Sequence, residues 1–433
     1  MSGVGIDFGT TNSAIAVAGA GGAVKLARFP HRGGVSDTYR SVLYFHPELR
    51  DARNRLQAIT GARAIERYLD EDGSGRLIQS LKSYLSDRSF ESTSIFSRPH
   101  TLVDLLAVLV RDLVTRAEED LGPISRRVVV GRPVHFAGAD AEGDDAFAEG
   151  RLRAALGAAG FDEVSFEYEP VGAARYYESR LDHDEMVLVA DFGGGTSDFS
   201  ILEVGPTARR AGRRTVLGND GVGIAGDALD AKILHHVVAP ALGMGTTYRS
   251  VFNQVMPVPV WLYFKLRRWH HLSFLKTRKT MELLEEIHDR TAVPEKIRDF
   301  IHVIESDLGY HLYRAVERAK VELSTKEATR FVFKDAPVEI DQSFTRDDFE
   351  GWIAEETGAM AACVDRLLAR VGAAPGDIDQ VFMTGGTSFV PAVRQIFDER
   401  FGAAKIQAGG EMISVATGLS LCAAGAEVPA RTG

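Results

Sequence analysis

Two segments of the chain repeat one pattern of residues. Residues 3–17 spell GVGIDFGTTNSAIAV, and residues 187–202 spell VLVADFGGGTSDFSIL. Each contains an apolar run, the tripeptide Asp-Phe-Gly, a few small or hydroxyl residues and a second apolar run, which is typical of two β-strands joined by a tight turn. Asp7 and Asp191 occupy the matching positions. Repetition of this pattern in both halves predicts a duplicated α/β unit.

The length of the chain also predicts two lobes. Its 433 residues exceed the roughly 250–300 residues at which one hydrophobic core stops growing. We expect lobe I to cover residues 1–185, joined by a C-terminal helix at about 411–433. Lobe II is then expected at 186–410, with a helical subdomain at about 227–325.

Helix and strand patterns follow each hairpin. Leucines and valines at spacings of three and four residues predict a helix that ends at Gly122, followed by a buried strand within residues 126–134. In the second half, residues 347–372 predict one long helix, and a later helix is predicted for Pro391–Phe401.

Composition is that of a soluble globular protein, with 45% hydrophobic and 25% charged residues. The net charge of −10 disfavours nucleic acid or an anionic membrane as the main partner. The start MSGVGIDFG lacks the features of a signal peptide, and no apolar run is long enough to span a membrane. Two cysteines provide neither a disulfide framework nor a four-ligand zinc site. We therefore expect a cytoplasmic protein.

The turns of both hairpins suit phosphate groups, because glycine lets backbone N–H donors approach closely. Hydroxyl side chains in these turns add donors, namely Thr10, Thr11 and Thr196. Neither hairpin carries Lys or Arg, so a polyphosphate needs another counter-charge. Asp7, Asp191 and Asp198 favour Mg²⁺ held through carboxylates and water.

Other nucleotide-binding motifs are absent or weak. The sequence contains no G-x-x-x-x-G-K-[ST], which excludes a P-loop. Gly221, Gly223 and Gly226 formally match G-x-G-x-x-G, but they lack a clear βαβ frame, so we do not expect them to bind a dinucleotide.

Six motifs resemble the ATPase domain of the DnaK-type (heat shock protein 70) chaperones and occur in the same order. They are GIDFGTTNS, EPVGAA, ADFGGGTSD, ERAKVELS, TGGTSFVP and SVATGL. Within that group the chain looks most like the short YegD-like bacterial proteins, through VVGRPVHF, FEYEPVGAA and LGMG. The resemblance covers about residues 3–425. It implies an actin-like (ribonuclease H-like) α/β fold, with ATP or ADP and Mg²⁺ in a cleft between two duplicated lobes.

The resemblance also implies roles for individual residues. Asp7 and Asp198 would hold water ligands of Mg²⁺, and Glu169 and Asp191 would position or activate the attacking water. Lys82 would contact the γ-phosphate; the alternative is an ordinary surface lysine. The other implied contacts are Gly9, Thr10, Thr11, Asn12, Gly193, Gly194, Gly195 and Thr196 around the phosphates, Gly385, Gly386 and Thr387 at the sugar and α-phosphate, and Glu317, Lys320 and Ser324 at the ribose and base. The last three also fit a solvated helix face.

The chain departs from that family in two respects. Val321 and Phe389 stand where the chaperones place an arginine on each side of the adenine. Phenylalanine can stack on a base, whereas valine cannot, so we expect weaker or less adenine-selective binding. The chain ends at GAEVPARTG without a leucine-rich linker or a β-rich peptide-binding domain. A client or protein partner is therefore not identified.

Residues 246–300 match no nucleotide motif. Their first half, including residues 261–280, is basic and aromatic, and their second half is acidic. Two interpretations remain open, a helical subdomain with solvated charges or a site for a partner, a membrane or nucleic acid.

Three functions fit these observations. The first is a slow Mg²⁺-dependent ATPase that acts as a nucleotide-driven switch. The second is a small-molecule, sugar-type kinase with Asp191 as its base. The third is a nucleotide-binding scaffold or actin-like filament without turnover.

Overall fold

The computed structural model describes residues 2–19, 21–71, 75–139, 141–178, 181–207, 215–267, 272, 275–408 and 411–425. The chain forms two compact units. Unit 1 comprises Met1–Ile224, Ala359–Ser388 and Arg394–Gly433, and unit 2 comprises Ala225–Gly358 and Phe389–Val393. These two units divide the chain at other residues than the two lobes expected from the sequence. The boundaries of the lobes stay a prediction.

The first sheet of unit 1 is built around the first hairpin. Its strands are β1 (Gly3–Phe8), β2 (Asn12–Ala18), β3 (Val24–Leu26), β4 (Arg127–Arg132) and β5 (Glu163–Tyr168). The order is β5-β4-β1-β2-β3, and the short strand Tyr39–Arg40 also pairs with β2. Strand β2 is antiparallel to both β1 and β3, whereas β4 is parallel to β1 and β5 is parallel to β4.

The second sheet of unit 1 has the same plan. Its strands are β6 (Glu185–Phe192), β7 (Ser197–Val204), β8 (Thr215–Val222), β9 (Gln380–Thr384) and β10 (Ile406–Ala408). The order is β8-β7-β6-β9-β10, again with an antiparallel half and a parallel half. Both predicted hairpins are confirmed, and each lies at the centre of a five-strand path with the same directions.

Helices and small sheets surround these strands. The helix Leu102–Leu121 starts at a capping box between Thr101 and Asp104 and ends before Gly122, as predicted. The predicted helix Pro391–Phe401 is also confirmed. Among the described residues, further α-helices outside Ala225–Gly358 are Ala62–Asp70, Asp144–Ala159, Glu169–Glu178 and Glu411–Ala423. Short 3₁₀ turns are Leu81–Tyr84, Pro375–Asp377, Gly386–Phe389 and Ala403–Lys405. The smaller sheets pair Phe29–His31 with Gly34–Ser36, Val42–Arg50 with Leu56–Thr60 and Arg76–Gln79, and Ser92–Ile95 with Arg98–Thr101.

The helix Glu411–Ala423 fixes the position of the helix Glu169–Glu178. A Cβ atom added at Gly418 would lie 1.7 Å from the Gly172 carbonyl oxygen, so the two backbones meet where only glycine fits. Leu419 is fully buried beside Gly172. The start of the helix Glu169–Glu178, and with it Glu169, is therefore positioned by residues near the far end of the sequence.

Unit 2 is mainly helical between Ala225 and Gly358. Its helices, among the residues that the structure describes, include Gly226–Ile233, the π-helix Leu234–Val238, Ala239–Ala241, Trp261–Phe264, the 3₁₀ turn Lys265–Arg267, Arg278–Arg290, Pro294–Glu305, Gly309–Leu323, Arg346–Trp352 and Ala354–Val371. The last of these continues into unit 1. Its hairpins pair Thr247–Arg249 with Val255–Pro257 and Ala328–Asp335 with Val338–Thr345.

The prediction of a single long helix over residues 347–372 is wrong. Two helices, Arg346–Trp352 and Ala354–Val371, replace it and are separated at Ile353. The backbone there leaves helical geometry (φ −97°, ψ 7°), and the Ile353 side chain is fully buried. Burial of this β-branched residue outweighs the weak preference of the segment for one continuous helix.

None of the described helices combines the length and apolar character that a membrane span requires. Part of the basic and aromatic segment, residues 268–271, 273 and 274, lies outside the described residues.

Candidate functional site

The two hairpin turns hold their glycines in close backbone contact. A Cβ atom added at Gly9 would lie 2.0 Å from the carbonyl oxygen of Asn12, so this turn requires glycine. The Gly9 N–H donates to Ser13 Oγ at 3.3 Å, and Asn12 Oδ1 accepts from Arg40 Nη1 at 3.1 Å. Thr10 and Thr11 lie in the same turn and are half-buried.

The second turn is closed in a similar way. The Gly193 N–H donates to the Thr196 carbonyl at 2.9 Å, with Gly194 and Gly195 between them. The Thr196 hydroxyl donates to Asp198 Oδ2 at 2.9 Å. The turn thus ties a predicted phosphate-binding threonine to a predicted metal-binding carboxylate.

A buried ion pair joins two of the residues assigned to catalysis. Lys82 Nζ lies 2.6 Å from Glu169 Oε1, and each side chain is only 9% exposed. Lys82 belongs to the 3₁₀ turn Leu81–Tyr84, which follows Ser80 in a left-handed conformation (φ 59°). Glu169 begins its helix directly after β5. Lys82 is therefore not a surface lysine.

Three aspartates interact electrostatically with this pair. Asp7 is the next-to-last residue of β1, just before the first turn, and Asp191 and Asp198 flank the second turn. We refer to Asp7, Lys82, Glu169, Asp191 and Asp198 as the Lys82 cluster. Burial lowers the pKa of the Lys82 ammonium, but the charges of Glu169, Asp7 and Asp191 outweigh that effect and raise it.

The aspartates of the Lys82 cluster hold protons unusually well. Burial, with the charge of Glu169, raises the pKa of Asp191 to about 6, although a hydrogen bond from Thr384 opposes this. Burial and the charge of Asp191 raise the pKa of Asp198 to about 8. Burial and Glu169 also raise the pKa of Asp7 well above its usual range.

Burial is the largest cause of these raised aspartate pKa values, and an excess of negative charge adds to it. Among the described residues of the Lys82 cluster, four carboxylates share a single ammonium, so negative charge is in excess. An added cation would relieve this excess, and carboxylate oxygens are the donors that Mg²⁺ prefers. No group of three or more His, Cys, Asp or Glu side chains in the described part of the chain is arranged to hold one ion. The carboxylate oxygens of the Lys82 cluster are chemically compatible with an Mg²⁺ ion that keeps several of its water ligands, as this ion commonly does.

The strand β9 brings a further glycine turn to Asp191. Thr384 pairs with Asp191 in register, and its hydroxyl donates to Asp191 Oδ1. Gly385 follows at φ +85°, where an added Cβ would lie 2.0 Å from the Phe192 carbonyl oxygen. Gly386 and the buried Thr387 continue as a 3₁₀ turn. Thr384 is not among the predicted site residues, although its position directly before the glycine pair was a usable sequence signal.

The residues assigned to ribose and base lie in unit 2. Glu317 and Lys320 are on the helix Gly309–Leu323, and Ser324 caps its end. Lys320 Nζ pairs with Asp230 Oδ1 at 2.8 Å, and burial raises the pKa of Asp230 although the Lys320 charge opposes it. The Ser324 hydroxyl donates to the Lys320 carbonyl at 3.4 Å. Asp230 was not predicted, and no sequence motif marks it.

Val321 and Phe389 also belong to unit 2, and both are exposed. The exposed fraction is 62% for Val321 and 57% for Phe389. Neither side chain is committed to the core, so both are available to a ligand.

The fold and the site define a mixed α/β protein with two sheets of one topology and a buried, anionic centre between glycine turns. Comparison with known proteins gives what the chain is similar to. Residues 301–424 match the model of the Hsp70 protein family. The chain is 25% identical over 406 residues to the chaperone protein DnaK of Thermosipho melanesiensis, and equally to that of Thermosipho africanus. Each alignment covers 92% of this chain and 55% of the relative.

These matches make the chain similar to the Hsp70 proteins, which is the resemblance that the motifs predicted. The chain spans about half the length of the curated relatives it matches. The narrower likeness to YegD-like proteins stays a prediction.

Proposed function

We propose that the chain binds ATP with Mg²⁺ and hydrolyses it slowly, as a nucleotide-driven conformational switch of the chaperone type. The observation that carries this proposal is the buried Lys82–Glu169 pair within a cluster of three further carboxylates. Its excess negative charge suits a metal, and the adjoining glycine turns suit phosphate.

The metal would be held by Asp7 and Asp198 through its water ligands. When bound, Mg²⁺ would supply the positive charge that offsets a triphosphate, which the hairpins lack. Asp198 is deeply buried and accepts a hydrogen bond from Thr196, so its carboxylate is already oriented.

Catalysis would then rest on orientation and charge, because phosphoryl transfer requires little covalent participation by the protein. Asp191, with a pKa of about 6, is mostly ionised at neutral pH and can accept a proton from water. Glu169 is held by Lys82 and would help to orient that water. Lys82 retains its charge and would face the γ-phosphate.

The remaining contacts with the nucleotide would come from the glycine turns and from the helix Gly309–Leu323. The backbone N–H groups and hydroxyls of residues 9–12 and 193–196 would surround the phosphates. Gly385, Gly386 and Thr387 would meet the sugar and α-phosphate, while Glu317, Lys320 and Ser324 would reach the ribose and base. Lys320 is already paired with Asp230, which fixes its position in unit 2.

We further propose that the two sheets are the cores of two lobes with the actin-like arrangement, and that the nucleotide lies between those lobes. The shared strand order of the two sheets supports this. A client protein, or another protein partner that responds to the nucleotide state, remains to be found.

The test is Mg²⁺-dependent ATP binding and single-turnover hydrolysis by the whole chain. We compare the unaltered protein with Asp191→Asn and Lys82→Ala, and use Lys25→Ala, at an exposed lysine of unit 1, as a matched control. We expect the first two variants to bind ATP but to hydrolyse it at least about tenfold more slowly, as loss of an oriented catalytic group does. The control should behave like the unaltered protein.

Other outcomes would redirect the proposal. Binding without turnover in the unaltered protein would favour a scaffold or filament, which sedimentation with nucleotide would reveal. Phosphate transfer to a small hydroxyl compound would favour a kinase. Failure to bind ATP at all would reject the proposal.

A further inference from the structure

Exposed apolar side chains concentrate in one stretch of unit 2. Seven large ones lie within 14 residues: Val251, Phe252, Val255, Met256, Val260, Trp261 and Phe264. The rest of the described chain exposes six, which are scattered: Val35, Leu69, Phe96, Val321, Val332 and Phe389. Exposed apolar side chains concentrated in this way are a feature of interaction surfaces. We call residues 251–264 the apolar surface.

The first part of the apolar surface is a protruding hairpin. Strands Thr247–Arg249 and Val255–Pro257 pair antiparallel, and the Ser250 N–H donates to the Gln254 carbonyl at 2.8 Å. The hairpin is anchored at its first strand, where Thr291 Oγ1 donates to the Thr247 carbonyl at 2.8 Å, and at its turn, where Arg290 Nη1 donates to the Ser250 carbonyl at 3.3 Å. The other strand is exposed at every residue. Phe252, at the tip, is 82% exposed.

The second part is the short helix Trp261–Phe264, whose inner side is firmly packed. Tyr263 stacks on Phe300 with ring centroids 4.8 Å apart, and its hydroxyl donates to the Leu242 carbonyl at 3.0 Å. Trp261 and Phe264 are spaced by three residues, so they share the outer side of the helix. The exposed aromatic rings therefore sit on a fixed base.

Cationic residues flank the apolar surface along the sequence. Residues 250–264 contain no charged side chain. The wider stretch 231–281 contains eight Lys and Arg residues and no Asp or Glu, in a chain with 60 acidic residues and a net charge of −10. Three of the eight, Lys232, Lys276 and Arg278, form ion pairs with acidic residues outside the stretch. Arg249 and Lys265 immediately flank the uncharged stretch.

We propose that the apolar surface docks peripherally on an anionic lipid bilayer. Exposed aromatic and aliphatic side chains would enter the boundary between headgroups and acyl chains, and the flanking cations would meet anionic headgroups. This mode of binding requires no membrane-spanning helix. It is independent of the nucleotide function proposed above.

Two other occupants fit the observations less well. A symmetric dimer through this surface would bring the cationic flanks of two copies together, which is unfavourable. Nucleic acid binding draws mainly on cations placed among the contact residues, whereas the apolar surface itself carries none.

The test is flotation of the whole chain with vesicles. One set contains phosphatidylcholine alone, and the other contains equal parts of phosphatidylcholine and phosphatidylglycerol. We expect binding to the anionic vesicles only, and its loss at high salt. Phe252→Ser should weaken binding by about tenfold, the loss expected when a buried phenylalanine contact is removed. Arg249→Glu with Lys265→Glu should weaken it at least as much.

Matched controls separate this result from general damage. Val35→Ser removes an exposed apolar side chain of unit 1 and should bind vesicles like the unaltered protein. Circular dichroism should show that every variant remains folded, which is expected because Phe252 is so exposed. The proposal is overturned if the unaltered protein ignores anionic vesicles, or if it binds them equally well after Phe252→Ser. It is also overturned if Phe252→Ser abolishes self-association but not vesicle binding.

Discussion

Asp191 and Asp198 lie directly opposite each other on adjacent antiparallel strands. In the first hairpin the residue opposite Asp7 is Ala14, so the two copies of the pattern differ at this position. Directly opposed like charges repel, and the charge of Asp191 contributes, after burial, to the raised pKa of Asp198. The second hairpin thus contains a pair of mutually repelling carboxylates, and the first hairpin does not.

The raised pKa values of this aspartate pair predict that the stability of the fold depends on pH. The pKa of Asp198 is about 8 and that of Asp191 about 6 in the folded chain, against about 3.9 for an unfolded aspartate. The folded state therefore binds more protons than the unfolded state between about pH 4 and pH 8, and these groups reduce stability as the pH rises through that range. We expect the ligand-free protein to have a lower Tm at pH 8 than at pH 6, by differential scanning calorimetry.

Asp198→Asn should remove most of this effect. The neutral amide cannot repel Asp191, so the variant should be more stable than the unaltered protein at pH 8, by at least ~1 kcal/mol. Its affinity for Mg²⁺-ATP should fall at the same time. As a control, Asp162→Asn alters an exposed aspartate and should change neither property. If Asp198→Asn were less stable than the unaltered protein at pH 8, the proposed repulsion between Asp191 and Asp198 would be contradicted.

Breaking the buried ion pair should strongly destabilise the fold. Lys82→Ala leaves Glu169 buried among carboxylates without its partner, a change that costs about 3–5 kcal/mol when one member of a buried pair is lost. Urea unfolding measures the loss, and the single-turnover assay must be run well below the midpoint. The double change Lys82→Met with Glu169→Gln removes both charges and should recover much of the stability. Equal stability of the single and double variants would argue against a coupled pair.

The glycine contact between Gly418 and Gly172 should tolerate no side chain. Gly418→Ala places a Cβ atom against backbone, so the helix Glu169–Glu178 must shift, and we expect a loss of about 2 kcal/mol or more, typical of overpacking. Gly157→Ala is a matched control, because nothing lies within 4 Å of its added Cβ, and it should be neutral or stabilising by roughly 0.5–1 kcal/mol. Chemical denaturation compares the two. Similar denaturation midpoints for the two variants would show that the two helices can move apart without loss of stability.

If the nucleotide base stacks on Phe389, removing that ring should weaken binding. Phe389→Ser should reduce ATP affinity by about 1–3 kcal/mol without a change in Tm, because the side chain is exposed. Isothermal titration calorimetry should also show comparable affinities for ATP and GTP in the unaltered protein. Val332→Ser, another exposed apolar position in unit 2, should leave both affinities unchanged. A strong preference for ATP would reject the expected loss of base selectivity.

Local features of the fold were predictable and tertiary ones were not. The hairpins and the helix Pro391–Phe401 follow from turn residues and apolar spacing, which act over a few positions. The break at Ile353 depends on burial of that side chain, which no spacing shows. In the site, Lys82 and Glu169 are 87 residues apart, and family resemblance rather than pattern suggested their roles. Thr384 and Asp230 were missed because strand register and helix packing, respectively, place them.

The order in which the chain is synthesised has a consequence for the helix that carries Glu169. Its neighbour, the helix Glu411–Ala423, is made more than two hundred residues later. Gly3 and Gly5 of the first strand contact that same late helix. A ribosome-bound nascent chain therefore exposes the first hairpin and the Glu169 helix without their shared support until residue 423 emerges. Because domains otherwise fold as they are synthesised, the Lys82 cluster is expected to form only after translation has passed that point.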